Sequence, residues 1–95
     1  MAVRVRKAIR DLGQAQERRI REKQGEVEAG DMPHWRQEAL LAMIERARKN
    51  IEELAGLARS TEGEADAALS KAADLANIGM FVALRLQAGD RVPAL

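Results

Sequence analysis

Apolar positions recur along this chain with helical spacing, and no useful length alternates with strand period. From Val3 to about Lys23, residues Val5, Ile9, Leu12 and Ile20 fall near one face, with Arg4, Lys7, Asp11, Arg18 and Arg21 elsewhere. Gly13 weakens this segment and Gln16 leaves its stripe without a large residue, so the first helix is expected to be the most exposed or the most mobile, and free to dock on another subunit. Gly25, Gly30 and Pro33 then break the periodicity, and Asp31 stands as an N-cap for a second helix over 33–58. In that helix Leu40, Ile44, Ala47, Ile51, Leu54 and Ala58 recur at alternating intervals of four and three, an amphipathic stripe. The joint Ser60-Thr61-Glu62-Gly63-Glu64 has capping-box spacing between Thr61 and Glu64, so a third helix over 64–88 should fold back antiparallel on the second. This third helix is apolar almost all round between Leu75 and Leu86, carries a ridge of Ala65, Ala68, Ala72, Ala76 and Ala83, and should be the most buried. Gly89 reads as its C′ residue, with 90–95 as a tail. The pattern predicts one all-α domain, an antiparallel bundle of three main helices.

Composition changes this picture in one respect. Apolar residues make up 46% of the 95, but 18 of them are alanine and only two, Trp35 and Phe81, are aromatic. The 26 larger apolar side chains are few for a self-sufficient core, so completion by a homo-oligomer, a dimer or larger, is expected. The absence of cysteine excludes disulfide, thiolate–zinc and cysteine-nucleophile chemistry, and one histidine excludes a histidine metal cluster. The run Leu75–Leu86 is shorter than the roughly 20 residues a bilayer requires, which points to a cytoplasmic protein without a membrane partner. Residues 1–24 carry +5, 25–70 carry −5 and 71–95 carry +1. Such poles suggest one helix lying against another; nucleic acid is disfavoured, because no helix-turn-helix or aromatic interleaving accompanies the basic segment.

Asp74 and Asn77 interrupt the alanine-lined third helix, where each must find a partner or cost about 1–3 kcal/mol. Lys71, Asp74, Asn77 and Phe81 stack on one face, as do Arg46, Asn50, Glu53 and Leu57 on the second helix. If the two faces meet, Arg46, Asn50, Glu53, Lys71, Asp74 and Asn77 share one pocket. The plainer alternative is a polar network that fixes register, with Lys71–Asp74 or Lys71–Glu53 as ion pairs. Trp35, beside His34, is either a core anchor or a stacking wall, and Arg46-Ala47-Arg48-Lys49 is either a solvated face or part of the site.

At these residues the chain resembles the MazG-like all-α nucleotide pyrophosphohydrolases, in particular the small phage-type dATP/dGTP diphosphohydrolase branch. The likeness spans roughly His34 to Leu86 and lies in His34-Trp35, in Arg46-Ala47-Arg48-Lys49-Asn50-Ile51-Glu52-Glu53-Leu54, and in Lys71-Ala72-Ala73-Asp74-Leu75-Ala76-Asn77-Ile78-Gly79-Met80. The resemblance implies a MazG-like bundle in which E-x-x-E and E-x-x-D pairs hold Mg²⁺ while a second chain helps to close over a nucleotide. Here Asn50 stands at the first glutamate of E-x-x-E and Lys49 at the acidic position before it; Lys71 stands at the first glutamate of E-x-x-D. Glu53 and Asp74 are the only carboxylates of the pattern retained, and they are the only metal ligands it would offer.

A cation at position 71 opposes Mg²⁺ binding but can meet a phosphate. The leading expectation is therefore a MazG-like nucleotide binder with impaired or absent hydrolysis and no required cofactor. It would sequester a nucleotide or a nucleotide-derived signal in the manner of a phage sponge. Arg46, Lys49 and Lys71 would face phosphates, with Asn50 as an amide donor and Glu53 in the same pocket. Asp74 and Asn77 would face sugar or base, with Trp35 as a wall. The alternatives are an active Mg²⁺-dependent (d)NTP pyrophosphohydrolase, which would need Glu52 or Glu45 as a further ligand, and a structural oligomer or protein-binding module.

Overall fold

The computed structural model describes residues 2–60 and 65–93. Its elements are three helices, α1 (Ala2–Glu28), α2 (Leu40–Arg59) and α3 (Ala65–Gln87), with no strand among the described residues. The all-α architecture follows the helical spacing of the apolar positions. Two boundaries differ from the expectation. Helix α1 runs straight through Gly25 and ends five residues later than expected. A glycine inside a helix costs only about 1 kcal/mol, too little to stop one that continues on both sides. What ends α1 is Gly30, at φ 82°: its amide bonds to the Val27 carbonyl and the Asp31 amide to the Glu26 carbonyl, a Schellman closure that only a left-handed residue permits. Asp31 therefore closes α1 and does not cap α2.

Helix α2 begins at Leu40, seven residues after the expected start, with Ala39 at its N-cap and no side-chain cap. Pro33 opens a turn instead: the His34 carbonyl accepts from the Gln37 and Glu38 amides, and His34 Nδ1 accepts from the Arg36 amide. Trp35 accordingly lies in the α1–α2 connection and not on α2. The end of α3 agrees with expectation. Gly89, at φ 99°, donates to Leu86 and Asp90 donates to Arg85, a second Schellman closure. The expected Thr61–Glu64 capping box lies outside the described residues.

Helix α3 is the centre of the bundle: α1 and α2 both pack on it, and not on each other. Both run antiparallel to it, since Gln16 and Arg19 meet Asn77 and Asp74, while Met43 and Glu53 meet Arg85 and Lys71. The basic first helix thus pairs with α3 and not with the acidic middle of the chain. The core is small, comprising Ala15, Leu40, Met43, Ala73 and Ile78. Met43, absent from the expected α2 stripe, is fully buried, whereas Ile51 of that stripe is 53% exposed. On α3 the innermost alanine is Ala73; Ala68, Ala72 and Ala76 are half-buried and Ala83 is exposed. By length and composition alone Asp66–Gln87 could cross a bilayer, unlike the shorter run Leu75–Leu86. Its Lys71, Asp74 and Asn77 are each bonded to a flanking helix, as suits the central helix of a bundle.

Candidate binding cavity

The polar residues of α3 are claimed first by the fold. Asp74, at 5% exposure, receives Arg19 Nε on Oδ1 at 2.8 Å and Arg19 Nη2 on Oδ2 at 3.0 Å, with Lys23 Nζ 3.7 Å from Oδ1. This is a bidentate guanidinium–carboxylate fork, the strongest geometry for such a pair. One turn on, Asn77 Nδ2 donates to the Gln16 carbonyl and Asn77 Oδ1 accepts from Gln16 Nε2, both at 3.1 Å. The gap in the α1 stripe at Gln16 is thus a matched polar layer.

Burial opposes ionisation of Asp74, but the Arg19 hydrogen bonds and the charges of Lys23, Arg19 and Lys71 outweigh it and hold its pKa below the ordinary 3.8. The same fork holds the Arg19 guanidinium more firmly protonated than usual. A depressed carboxylate contributes stability that is complete above its unfolded pKa and is lost as pH falls through the folded one. Melting curves should therefore show little Asp74-linked change from about pH 7 to about pH 5, and a loss beginning near pH 4. In Asp74→Asn that acid-side loss should shrink; an unchanged acid limb would contradict the assignment.

Beside this network lies a cavity of about 130 Å³ between the C-terminal half of α1, the α1–α2 connection, α2 and α3. Its walls are mainly apolar: Ile20 and Val27 from α1, Met32, Pro33 and Trp35 from the connection, Ile78 and Phe81 from α3. Lys23, Gln24, His34, Arg46, Asp74 and Asn77 supply polar groups. The Trp35 ring stacks on Phe81 with centroids 4.8 Å apart and planes 7° from parallel, and the Arg36 guanidinium carbon sits 5.2 Å from the Trp35 centroid. Arg46 Nη2 donates to Glu38 at 2.5 Å, while its Nε is buried without a partner. Arg85, 50 residues from Trp35 in sequence, fixes the connection: Nη1 donates to the carbonyls of Trp35 and Glu38 and reaches Met43 Sδ, while Nε donates to Asp90.

The expected site residues separate into two groups. Trp35, Arg46, Asp74 and Asn77 line the cavity; Lys49, Asn50, Glu53 and Lys71 do not. Lys71 makes an ion pair with Glu53, both part-exposed, on the α2–α3 side. Lys49 is exposed and Asn50 half-buried. Among the contributors not anticipated are Lys23 and Gln24 on α1 and, behind the wall, Arg19, Glu38 and Arg85.

Glu53 and Asp74, the two carboxylates expected as metal ligands, do not suit Mg²⁺. A hard divalent cation needs several oxygen ligands with free lone pairs and little nearby positive charge. Both oxygens of Asp74 already accept from Arg19, with Lys23 close by, and Glu53 is neutralised by Lys71. Among the described residues no third His, Cys, Asp or Glu joins either of them. At about 130 Å³ the cavity is close to the roughly 150 Å³ that accommodates benzene, and its cations, Arg46 and Lys23, stand at the wall each beside a carboxylate, Glu38 and Asp74. No protein-family model, curated protein or solved structure matches the chain.

Proposed function

We propose that this protein binds, without metal, a small molecule made of a flat ring and an anionic group, with nucleotides as the chemical class, and that it does not hydrolyse it. The observation that carries the reading is the coincidence of a mainly apolar cavity, close to ring size, with Arg46 and Lys23 at its wall. The Arg46 side chain is 35% exposed and pairs with Glu38 through Nη2, and an anion in the cavity would compete for that guanidinium. The ring would lie against Trp35 and Phe81, and the anionic group would meet Arg46 and Lys23. Asp74 and Asn77 act from the floor, holding α1 in place and keeping the cavity open. Sequestration in the manner of a sponge is the role that suits a binder with no carboxylate set for Mg²⁺ among the described residues.

Native mass spectrometry of protein purified from cells should show retained mass of nucleotide size. Titration followed by Trp35 emission should show Arg46→Met weakening nucleotide binding by at least tenfold, about 1.4 kcal/mol. A pyrophosphate-release assay with Mg²⁺ or Mn²⁺ should be silent; turnover abolished by Asp74→Ala would establish the hydrolase reading instead. The scaffold reading is favoured by a separate observation, the fully satisfied Gln16–Asn77 layer. It alone predicts that Arg46→Met leaves every ligand measurement unchanged.

A further inference from the structure

Helix α2 does not aim its apolar stripe at α3. The two helices meet through Met43 and Glu53, which contact Arg85 and Lys71. At 100° per residue, Met43 lies about 80° and Glu53 about 160° around α2 from Ile51, near the middle of the stripe. Ile51 is accordingly 53% exposed, with Ala58 exposed and Ile44 and Ala55 half-buried on the same side. Leu40 is buried at the first turn, and Arg48, about 60° from Ile51 on the side remote from α3, marks the outer margin. Helix α3 leaves a sector open as well. Lys71, Asp74 and Arg85 are the charged residues of 68–87, and each lies at least about 120° from Ala83. Around Ala83 stand Ala72, Ala76, Gly79, Met80 and Leu86, the last two 40% and 38% exposed. Both sectors are on one side of the molecule. Arg46 of α2 and Phe81 of α3 line the cavity, and Ile51 is about 140° from Arg46 while Ala83 is about 160° from Phe81. The two therefore share the back of the α2–α3 layer, opposite the cavity and α1.

The chain exposes 7228 Å² at a mass of 10.5 kDa, where a folded monomer of that mass exposes about 5,400 Å². The excess, roughly 1,800 Å², falls within the about 1,000–2,500 Å² that each chain of an obligate homodimer buries. Residues 4–10 of α1 are exposed and supply part of it, but they include Arg4, Arg6, Lys7 and Arg10, whereas the back of the layer has no charge inside its margin. We infer that this back face pairs with the same face of a second copy, about a two-fold axis parallel to the helices, so that α2 of each chain lies on α3 of the other. This arrangement sets the large residues of α2 against the small ones of α3, the alternation of volumes that close packing favours. A two-fold axis across the helices would instead oppose Ile51 to Ile51 and one alanine ridge to the other. The Glu53–Lys71 and Met43–Arg85 contacts fix the relative heights of α2 and α3, and an axis parallel to the helices preserves them. Ile51 then falls level with Ala76 of the second copy, and Ile44 level with Ala83. Depletion of charge at the centre of the contact is the character of homodimer interfaces. The interface lies opposite the cavity and does not depend on the ligand reading.

Analytical ultracentrifugation of the full chain tests it, with far-UV circular dichroism on each variant. The expected result is a dimer that salt does not weaken, because no charge lies inside the face. Ile51→Glu should raise the dissociation constant at least tenfold, since it would bury a carboxylate without a partner. Gly79→Leu should do the same with its helical content intact, because a Cβ at Gly79 meets nothing within 4 Å in this chain and leucine favours the helix. A monomer at every concentration, a dimer weakened by salt, or a dissociation constant unchanged in either variant would overturn the inference. So would a monomer that binds phosphatidylcholine vesicles and loses them in Ile51→Glu, which would identify the face as a membrane contact.

Discussion

Replacing Arg19 by methionine should destabilise the protein by about 3 kcal/mol, because it strands a buried carboxylate. Asp74 is 5% exposed, and Arg19 supplies both of its hydrogen bonds. Lys23, at 3.7 Å, would remain to soften the loss without replacing the fork. In a chain of this size each kcal/mol shifts Tm by roughly 4–8 °C, so the fall should exceed about 10 °C. Combining Arg19→Met with Asp74→Leu should recover most of the loss, since two apolar groups then replace a pair that had to be desolvated. Urea denaturation of both variants checks this. Equal stabilities of single and double variants would mean that the fork is not what holds α1 to α3.

The second large effect is expected at Arg85. Its guanidinium is the common donor to the Trp35 and Glu38 carbonyls and to Asp90, and its side chain is only 15% exposed. Arg85→Met leaves two carbonyls of the connection without this donor, at a cost of about 2 kcal/mol. The consequence reaches the cavity, because Trp35 is held against Phe81 by the backbone that Arg85 anchors. Trp35 emission should shift to the red and become more accessible to acrylamide, with Arg85→Lys between the two, since an ammonium lacks the planar fork. Unchanged emission in a destabilised Arg85→Met would separate Arg85 from the positioning of Trp35.

The three helices were legible because helical spacing of apolar residues is a strong local signal. The ends of α2 and α3 lie within a residue of expectation, whereas the end of α1 and the start of α2 do not. Gly89 was read correctly from its place after the last apolar turn. Gly25 and Gly30 look alike in sequence, and only the carbonyls of Glu26 and Val27 and the amides they accept from distinguish the helix end. Pro33 was expected at the first turn of α2, but the His34 carbonyl, with two amides to accept, builds a separate turn and leaves Trp35 on the connection.

Asp74 and Asn77 stood out because polar groups on a buried alanine face must be satisfied, but their partners were sought on α2. They lie on α1, and the available signal was Gln16, the polar residue in an otherwise apolar stripe. Read as a weakness, it concealed the layer it forms with Asn77. Arg19 and Lys23 merged into the general basicity of the first segment, where nothing local marks which cations turn inward. Lys71 and Glu53 were recognised as an ion-pair option, and that is the arrangement found.

On the proposed reading, an anionic ring compound enters this cavity and meets Arg46 and Lys23 without a divalent metal. Calorimetric titration with nucleoside mono- and triphosphates, in EDTA and again with Mg²⁺, tests it most directly. Saturable binding in EDTA, within a few-fold of that with Mg²⁺ and lost in Arg46→Met, is the predicted result. Binding that appears only with Mg²⁺, or that survives Arg46→Met unchanged, would contradict it.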